Sequence, residues 1–418
     1  MNYLNISVLF LLILLNSYSS PLAQTSCINC HLQLDDQLKT PTDNLANDSH
    51  AKNSISCEGC HGGDADLQFE EDMEAAMDVQ KGYIGVPKRS EVPKFCAKCH
   101  SDAAYIKRYN PNLPIDQYQQ YLTSQHGMKL AGGDTKVAVC TDCHGVHNIQ
   151  PANSSTSKVF PNNIPAMCGN CHSDAEYMKG YGIPVNQQEL YKKSVHGISL
   201  FEKGDRSAPV CNDCHGNHGA IPPGIASISH VCGICHVSQA EMFSQSPHKE
   251  AFAEMDLPQC ESCHGNHEVK ATHLDMLGIG SQSLCVDCHD EDSKGYTIAQ
   301  QMKQQEDSLV FKIGLADSLL MKAEKAGVEV GEGKFILKDA ENALTKARSV
   351  VHFFSLEKFN EVVEPGFTVA DRAGDEGRLA LKEVQNRRRW LALISIIIFI
   401  VTISLYFKIK MVKKEHAI

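Results

Sequence analysis

The chain has 418 residues, a net charge of −11 and 18 cysteines. The length allows two or three domains. The acidic balance offers no basic patch for nucleic acid, and no phosphate-binding loop or Ser/His/Asp arrangement stands out.

Residues 1–23 are predicted to be a signal peptide. Residues 1–24 contain no charged side chain and include the apolar run Val8–Leu15, which is followed by small and polar residues. A run of this length is too short to span a membrane and is typical of a secretory signal, with Ala23 as a candidate cleavage site. We therefore expect the following domain to lie outside the cytoplasm.

All 18 cysteines lie in nine copies of the pattern Cys-x-x-Cys-His, numbered here as sites 1 to 9 in chain order. The pattern is the attachment signature of c-type haem, in which both thiols form thioethers and the histidine becomes the proximal iron ligand. A redox dithiol needs no histidine at a fixed position, and a zinc site rarely has one directly after the second cysteine. The motifs therefore predict nine covalently attached haems and no disulfide framework.

The predicted attachment cysteines are Cys27 and Cys30, Cys57 and Cys60, Cys96 and Cys99, Cys140 and Cys143, Cys168 and Cys171, Cys211 and Cys214, Cys232 and Cys235, Cys260 and Cys263, and Cys285 and Cys288. The predicted proximal ligands are His31, His61, His100, His144, His172, His215, His236, His264 and His289.

Residues 24–295 are predicted to form one haem-binding domain. Residues 25–295 carry 34 acidic against 20 basic side chains, and a chain with so few residues per haem cannot build an ordinary core of side chains. The macrocycles must supply much of the buried apolar area. We expect a mainly α-helical domain with extensive loops and little or no sheet.

The haem motifs repeat in pairs. CAKCHSDAAYIKRY at 96 matches CGNCHSDAEYMKGY at 168; each is followed by Ser-x-His-Gly and then by a CHGxH motif. Related units begin at 27 and 232, and a single motif at 285 remains. The first unit has Asp64 where the other units have the second histidine of CHGxH.

The second histidine of CHGxH is predicted to bind a neighbouring haem. In CNDCHGNH, His218 follows the proximal His215 by three residues, too few to pass round a porphyrin to the opposite face of the same iron. Seven repeat-motif histidines are therefore predicted to be distal ligands, which would make those irons six-coordinate. They are His50, His126, His147, His196, His218, His248 and His267.

Nine haems need two more distal ligands if all are six-coordinate, and His230, His273 and His352 are the candidates. His352 stands among apolar neighbours in VVHFF, where an imidazole without a partner would pay a desolvation cost. We predict that His352 binds a haem, the alternative being a hydrogen bond inside a helical bundle.

Residues 296–389 have no cysteine and are predicted to form a helical hairpin or small bundle. Ala340, Leu344, Ala347, Val351 and Phe354 form an apolar stripe at helical spacing. Gly327 and the segment Gly331–Gly333 are predicted to separate the first helix from the second. Pro365 and Gly366 are predicted to break or kink the third.

Residues 390–407 contain no charge and are long enough to span a bilayer. They predict one transmembrane helix in contact with membrane lipid, followed by a cytoplasmic tail at 408–418. Together with the export signal, this helix places the haems in the periplasm or outside the cell, anchored to the inner membrane. A buried core helix is the alternative.

The motifs CTDCHGVH, SVHG and CNDCHGNH resemble those of membrane-anchored multihaem c-type cytochromes of bacterial respiratory chains. The resemblance covers residues 25–295 closely and the remainder loosely. It implies an electron carrier, not an enzyme, between a membrane quinol-oxidising (cytochrome b-like) module and periplasmic or outer-surface acceptors, including periplasmic redox proteins.

Two other functions fit the motifs. A multihaem reductase or oxidoreductase of nitrogen or sulfur compounds would need one haem with an open face, and all nine motifs here end in histidine. A conductive assembly protein is the other alternative, and the predicted membrane anchor argues against it.

Overall fold

A computed structural model describes residues 25–67, 73–222 and 228–415, so the predicted signal peptide lies outside the described residues. The described chain is helix and loop without a strand, as expected for the fold class. It forms two compact units. Within the described residues, one comprises 25–222 with Gly265–Ala271, and the other comprises 228–264 with 272–415.

The first unit is built from short helices joined by long loops. Its α-helices are Ser26–His31, Thr40–Asn44, Ser49–Lys52, Cys57–His61, Val92–His100, Ala103–Ile106, Gln117–Thr123, Gln125–Ala131, Cys140–His144, Ile164–His172, Gln187–Lys193, Val195–Phe201 and Cys211–His215. Single 3₁₀ turns are Asp36–Leu38, Leu45–Asn47, Met73–Met77, Val79–Lys81, Arg89–Glu91 and Pro161–Asn163.

Side chains contribute little core to the first unit. One buried cluster consists of Val92, Leu130, Val137 and Val139. A second consists of Ile164, Leu200, Ala208 and Val210, at equivalent positions of the next repeat. Four residues are far fewer than a domain core needs, which is consistent with macrocycles providing the remaining buried apolar surface.

The Ser-x-His-Gly motif forms a helix start that needs both its serine and its glycine. The Ser124 hydroxyl accepts a hydrogen bond from the Gly127 amide at 2.9 Å and so caps the helix Gln125–Ala131. A Cβ on Gly127 would lie 1.9 Å from the carbonyl oxygen of Tyr121 in the preceding helix. The motif therefore allows two consecutive helices to cross closely and directs His126 away from the crossing. Ser194 and Gly197 repeat this arrangement.

The second unit contains short helices around its haem motifs and three long bundle helices. The short α-helices are Ile228–Gly233, Val237–Ser244, Pro247–Glu254 and Gln259–His264, and the 3₁₀ turns are Leu274–Met276, Cys285–Asp287 and Val351–Phe353. The first, second and third bundle helices are Lys294–Lys325, Gly331–Val350 and Leu356–Glu415.

The bundle helices run in alternating directions around an apolar core. Near the turn at 351–355, the core contains Met302, Leu309, Ala340, Phe359 and Val363. Near the loop at 326–330, it contains Leu320, Ala323, Leu337 and Ala373 among others. These are side chains at helical spacing in all three helices, and their burial holds the bundle together.

Three local expectations for the bundle need correction. Gly331 and Gly333 lie inside the second helix, because the chain reverses at 326–330, where Gly327 adopts φ +81°. Pro365 does not break the third helix, which continues on both sides of it. Phe354 lies beyond the second helix and adopts φ +47°. It is therefore not part of the apolar helical stripe that contains Ala340 and Ala347.

The end of the third bundle helix is apolar and exposed on all sides. The structure has one helix in its described part that is long and apolar enough to cross a membrane, and this apolar stretch is 0% buried. Trp390, Ile397 and Phe399 are each more than half exposed. An apolar helical surface of this kind is stable in lipid and unstable in water.

Candidate haem centres

Each haem motif of the CHGxH type occupies a single helical turn that ends at glycine. In CTDCH, the Asp142 carboxylate accepts a hydrogen bond from the Val139 amide at 2.7 Å and so closes the start of the turn. Gly145 then adopts φ +82°, and Gly216 adopts φ +84° after CNDCH. This reversal, which favours glycine, points the following histidine away from the proximal one.

The two motifs of each repeat unit are joined at their first cysteines. The thiols lie next to each other in the pairs Cys27 and Cys57, Cys96 and Cys140, Cys168 and Cys211, and Cys232 and Cys260. No disulfide is present among the 18 cysteines, all of which the structure describes. Two attachment positions therefore lie side by side in each of the four units.

The thiol contacts are electrostatically asymmetric. The hydrogen bond from Cys57 lowers the pKa of Cys27 to about 6, and the same contact raises the pKa of Cys57. The contact with Cys260 likewise lowers the pKa of Cys232 to about 7.

Seven of the nine proximal histidines face a second histidine. The ring centres are separated by 6.1 Å for His61–His147 (site 2), 6.0 Å for His100–His50 (site 3), 6.0 Å for His144–His218 (site 4), 6.2 Å for His172–His126 (site 5), 5.9 Å for His215–His267 (site 6), 6.2 Å for His264–His352 (site 8) and 5.8 Å for His289–His248 (site 9).

This spacing fits one iron between each pair of imidazoles. Two imidazoles that bind one metal through nitrogen have ring centres about 6 Å apart, because each metal–nitrogen bond is about 2 Å long. Directly stacked rings would lie closer than this. The separations of 5.8–6.2 Å match the spacing expected for two imidazoles on opposite sides of a shared metal. Each such pair, with its two cysteines, would hold one haem.

The pairs follow two rules along the chain. The second histidine of CHGxH lies opposite the second motif of the preceding unit: His147, His218 and His267 face sites 2, 4 and 6. The histidine of the Ser-x-His or Asp-Ser-His turn lies opposite the first motif of a following unit. His50, His126 and His248 thus face sites 3, 5 and 9.

His352 joins the haem motifs from outside the repeats. It lies in the 3₁₀ turn between the second and third bundle helices, and its ring is nearly parallel to that of His264, with an interplanar angle of 24°. Its Nδ1–H donates to the carbonyl of Ser349 at 2.9 Å. The hydrogen bond uses Nδ1 and leaves Nε2 available, and the role of His352 as a haem ligand stays a prediction.

Other predicted or candidate histidines are placed differently. Among the described residues, no second imidazole stands opposite His31 of site 1, whose Nδ1–H donates to the Leu38 carbonyl at 2.7 Å. Asp64, which stands where the other units have the second histidine of CHGxH, forms an ion pair with Lys81, with 2.8 Å between Oδ2 and Nζ.

His196 and His236 each make contacts within the chain, and their roles as ligands stay predictions. His230 lines an open pocket of about 430 Å³ beside the CGICH motif, together with Ile234 and Phe243.

Burial favours the neutral form of eight facing imidazoles, which is the form that binds a metal. Burial lowers the pKa of His100, His126, His144, His147, His172, His218, His248 and His264. The hydrogen bond to Asp48 instead raises the pKa of His50.

Backbone hydrogen bonds hold the distal histidines in register. The Ser49 amide donates to the Ile149 carbonyl at 2.7 Å, the Gln125 amide to Ala220 at 3.0 Å, and the Val195 amide to Val269 at 2.8 Å. Each bond joins a Ser-x-His or Asp-Ser-His turn to the residue two positions after a CHGxH histidine. Sequence reasoning missed these backbone contacts between the two motifs. The regular spacing of the Ser-x-His and CHGxH motifs is the signal that could have indicated them.

Two further residues at the centres were also missed. The Asp48 carboxylate contacts the His50 ring at 3.2 Å, and the signal for it is an aspartate where the other units have serine. The Phe354 ring centre lies 4.0 Å from that of His248, so the turn that carries His352 also touches a ligand candidate of site 9. No motif marks Phe354.

Comparison with known proteins agrees with the motifs. A family model described as cytochrome c3 matches residues 49–173, and one described as cytochrome c554 and c-prime matches residues 15–62. No match was found among curated proteins or among solved structures. The two family matches support a multihaem c-type cytochrome that transfers electrons.

Proposed function

We propose that the protein is a membrane-anchored nonahaem c-type cytochrome. It carries electrons between a quinol-linked membrane donor and periplasmic or outer-surface acceptors. The observation that carries this proposal is the set of seven imidazole pairs at 5.8–6.2 Å. When bound, the haems would supply one-electron chemistry.

The side chains around the sites favour a carrier over a catalyst. An imidazole on each side leaves no coordination position for a substrate at seven sites. The paired thiol contacts place two attachment positions together in every unit, which supports short steps between haems. The chain's own contribution is to fix ring orientation through Nδ1 partners such as the carbonyls of Gly85 for His61 and Ile221 for His215.

The bundle determines how far two of the sites stand from the membrane. His352 of site 8 lies at the 351–355 turn, and His289 of site 9 packs against Gly295 at the start of the first bundle helix. Arg387 donates to the Gly327 carbonyl at 3.2 Å at the opposite end of the bundle, next to the apolar segment. At a rise of about 1.5 Å per residue, the helix from Leu356 to Trp390 is about 50 Å long.

The distance of about 50 Å between these sites and the apolar segment restricts which redox partners can reduce them. Electron tunnelling falls steeply with distance, so a quinol confined to the bilayer is too far from sites 8 and 9 to reduce them directly. The donor we propose is a cytochrome b-like quinol-oxidising module acting through a redox group that extends beyond the membrane surface. A soluble periplasmic redox protein would meet the same requirement.

Mass and spectra test the proposal together. Intact mass should show nine haems per chain, and low-temperature spectra should show at least seven low-spin, bis-imidazole haems. A mass that corresponds to fewer haems in fully matured protein, or a majority of high-spin haems, contradicts it.

One observation favours a second function, a reductase or oxidoreductase of nitrogen or sulfur compounds at site 1. In the described part of the chain, His31 has no imidazole opposite it. A haem held by Cys27, Cys30 and His31 would then offer a coordination position to a small ligand. Steady-state reduction of nitrite or hydroxylamine that is lost in Cys27→Ser/Cys30→Ser would establish this function.

A further inference from the structure

The histidine turns of the repeat units differ in one buried residue. Ser124 and Ser246 begin the turns of His126 and His248, and their hydroxyls donate to the backbone carbonyls of Tyr121 and Phe243. Asp48 occupies this position in the first unit, where it is 3% exposed. The chain therefore contains one centre, site 3, at which a carboxylate replaces the hydroxyl found at the equivalent sites 5 and 9.

Asp48 uses both of its oxygens. Oδ1 accepts hydrogen bonds from the His50 amide at 2.7 Å, from the His50 ring Nδ1 at 3.2 Å and from the Ala51 amide at 3.4 Å. Oδ2 accepts from the Ile149 amide at 2.7 Å. The carboxylate is thus fixed in position with its charge directed at the imidazole that faces His100.

The Nδ1 partners of four other histidines are neutral. His31, His61, His215 and His352 donate to backbone carbonyls. The Nδ1 atom of His248 is buried without a hydrogen-bond partner in the described chain. Site 9 therefore gives the sharpest contrast with site 3, since the two distal histidines occupy the same position of the repeat.

A carboxylate at Nδ1 makes an imidazole a stronger electron donor to iron. The ligand gains basicity because the carboxylate draws the Nδ1 proton toward itself. A buried negative charge also stabilises the more positive, ferric state over the ferrous state, and burial weakens the screening of that charge. Both effects lower the reduction potential of the haem.

We propose that Asp48 is a positioning residue that lowers the reduction potential of the haem bound by His50 and His100 below those of the haems at sites 5 and 9. This inference rests on the proposed pairing of these histidines at one iron. The haem at site 3, between the first and second repeat units, therefore has a lower reduction potential than the haems at sites 5 and 9.

The test is a spectroelectrochemical titration of the full-length holoprotein and of Asp48→Ser, which installs the residue of the other units. One one-electron component should move to higher potential, with at least a tenfold change in its equilibrium constant, equivalent to about 59 mV. All haems should stay low-spin. The converse variant Ser124→Asp should move one component to lower potential. In a Cys96→Ser/Cys99→Ser background, which lacks the site 3 haem, Asp48→Ser should shift nothing further.

Unchanged potentials in both variants overturn the inference. Appearance of a high-spin haem in Asp48→Ser, with no downward shift in Ser124→Asp, also overturns it, because Asp48 would then only hold His50 in place. These outcomes leave the proposed function intact if the wild type carries nine haems that are mainly low-spin. Loss of that wild-type signature defeats the proposed function instead.

Discussion

His264 and His352 face each other across 6.2 Å although the first belongs to a haem motif and the second to a helical bundle. The bundle therefore supplies a ligand candidate to a haem motif as well as the candidate membrane span. Phe354 in the same turn packs against His248, so two haem sites depend on five residues between the second and third bundle helices.

Replacing His352 by alanine should convert one haem from low-spin to high-spin. The reason is that site 8 loses the imidazole opposite His264, while the Ser349 carbonyl that held it stays in place. Resonance Raman spectra and carbon monoxide binding measure the change. Added imidazole should restore the low-spin state, and Asn342→Ala, an exposed change on the second bundle helix, serves as the control. An entirely low-spin His352→Ala protein would rule the ligand role out.

Replacing His147 by alanine should affect site 2 and leave site 4 unchanged. His147 follows the site 4 motif in sequence, but it faces His61 at 6.1 Å. One haem should become high-spin in His147→Ala. In a Cys57→Ser/Cys60→Ser background, which cannot attach the site 2 haem, the same change should add no high-spin signal. A new signal in that background would show that His147 serves a different site.

Replacing Gly127 by alanine should destabilise the first unit by about 1–3 kcal/mol, the usual cost of overpacking. The added Cβ would lie 1.9 Å from the Tyr121 carbonyl, so the helix that carries His126 must shift. Thermal unfolding followed by circular dichroism measures the loss, and one haem should become partly high-spin. Gly314→Ala is the matched control, because its Cβ meets nothing within 4 Å. Equal stability of the two variants would contradict this account.

Truncation after Asn386 should release a soluble protein that keeps its haems. The cut removes the exposed apolar stretch but retains Val384, the last side chain in the bundle core. It also removes the hydrogen bond from Arg387 to Gly327, a surface contact of small energetic value. Fractionation and haem staining measure the result. A truncated chain that stays with the membrane would reveal a second anchor.

A quinol confined to the bilayer should not reduce sites 8 and 9 in proteoliposomes that contain the protein alone. The bundle holds these sites about 50 Å along the third helix from the apolar segment. A water-soluble short-chain quinol should reduce them readily in the same vesicles. Stopped-flow absorbance at the haem bands compares the two reductants. Rapid reduction by the lipid-soluble quinol would show that the bundle does not act as a spacer.

The sequence predicted the parts of the centres that depend on local geometry. Cys-x-x-Cys-His fits on one helical turn, and glycine with positive φ after it is implied by CHG, so the proximal residues could be identified directly. The absence of strands in the described residues and the thin core of the first unit follow from how few residues serve each motif. His352 could be singled out because an imidazole among apolar side chains needs a partner, and its role as a ligand stays a prediction.

The matching of facing histidines could not be predicted, because it depends on contacts between distant segments. The Gln125 amide donates to the Ala220 carbonyl through backbone groups that carry no sequence signature, and this contact brings the segments of His126 and His218 together. Pro365 was expected to break or kink a helix. The helix continues because packing of Phe359, Val363 and Ala370 against the other two helices outweighs the local cost of proline.

If each facing pair binds one haem, the pairing of histidines also implies an order of assembly. Any chain is delivered with its N-terminus first, so a centre can close only when its later histidine has emerged. His100, His172 and His289 find partners already present upstream, and these centres can close as soon as their own motifs appear. His61, His144 and His215 must wait for the next unit. His264 would be separated from its partner for the longest stretch of chain, until the turn ahead of the third bundle helix has emerged. The closing of this last centre would therefore indicate that the bundle has formed.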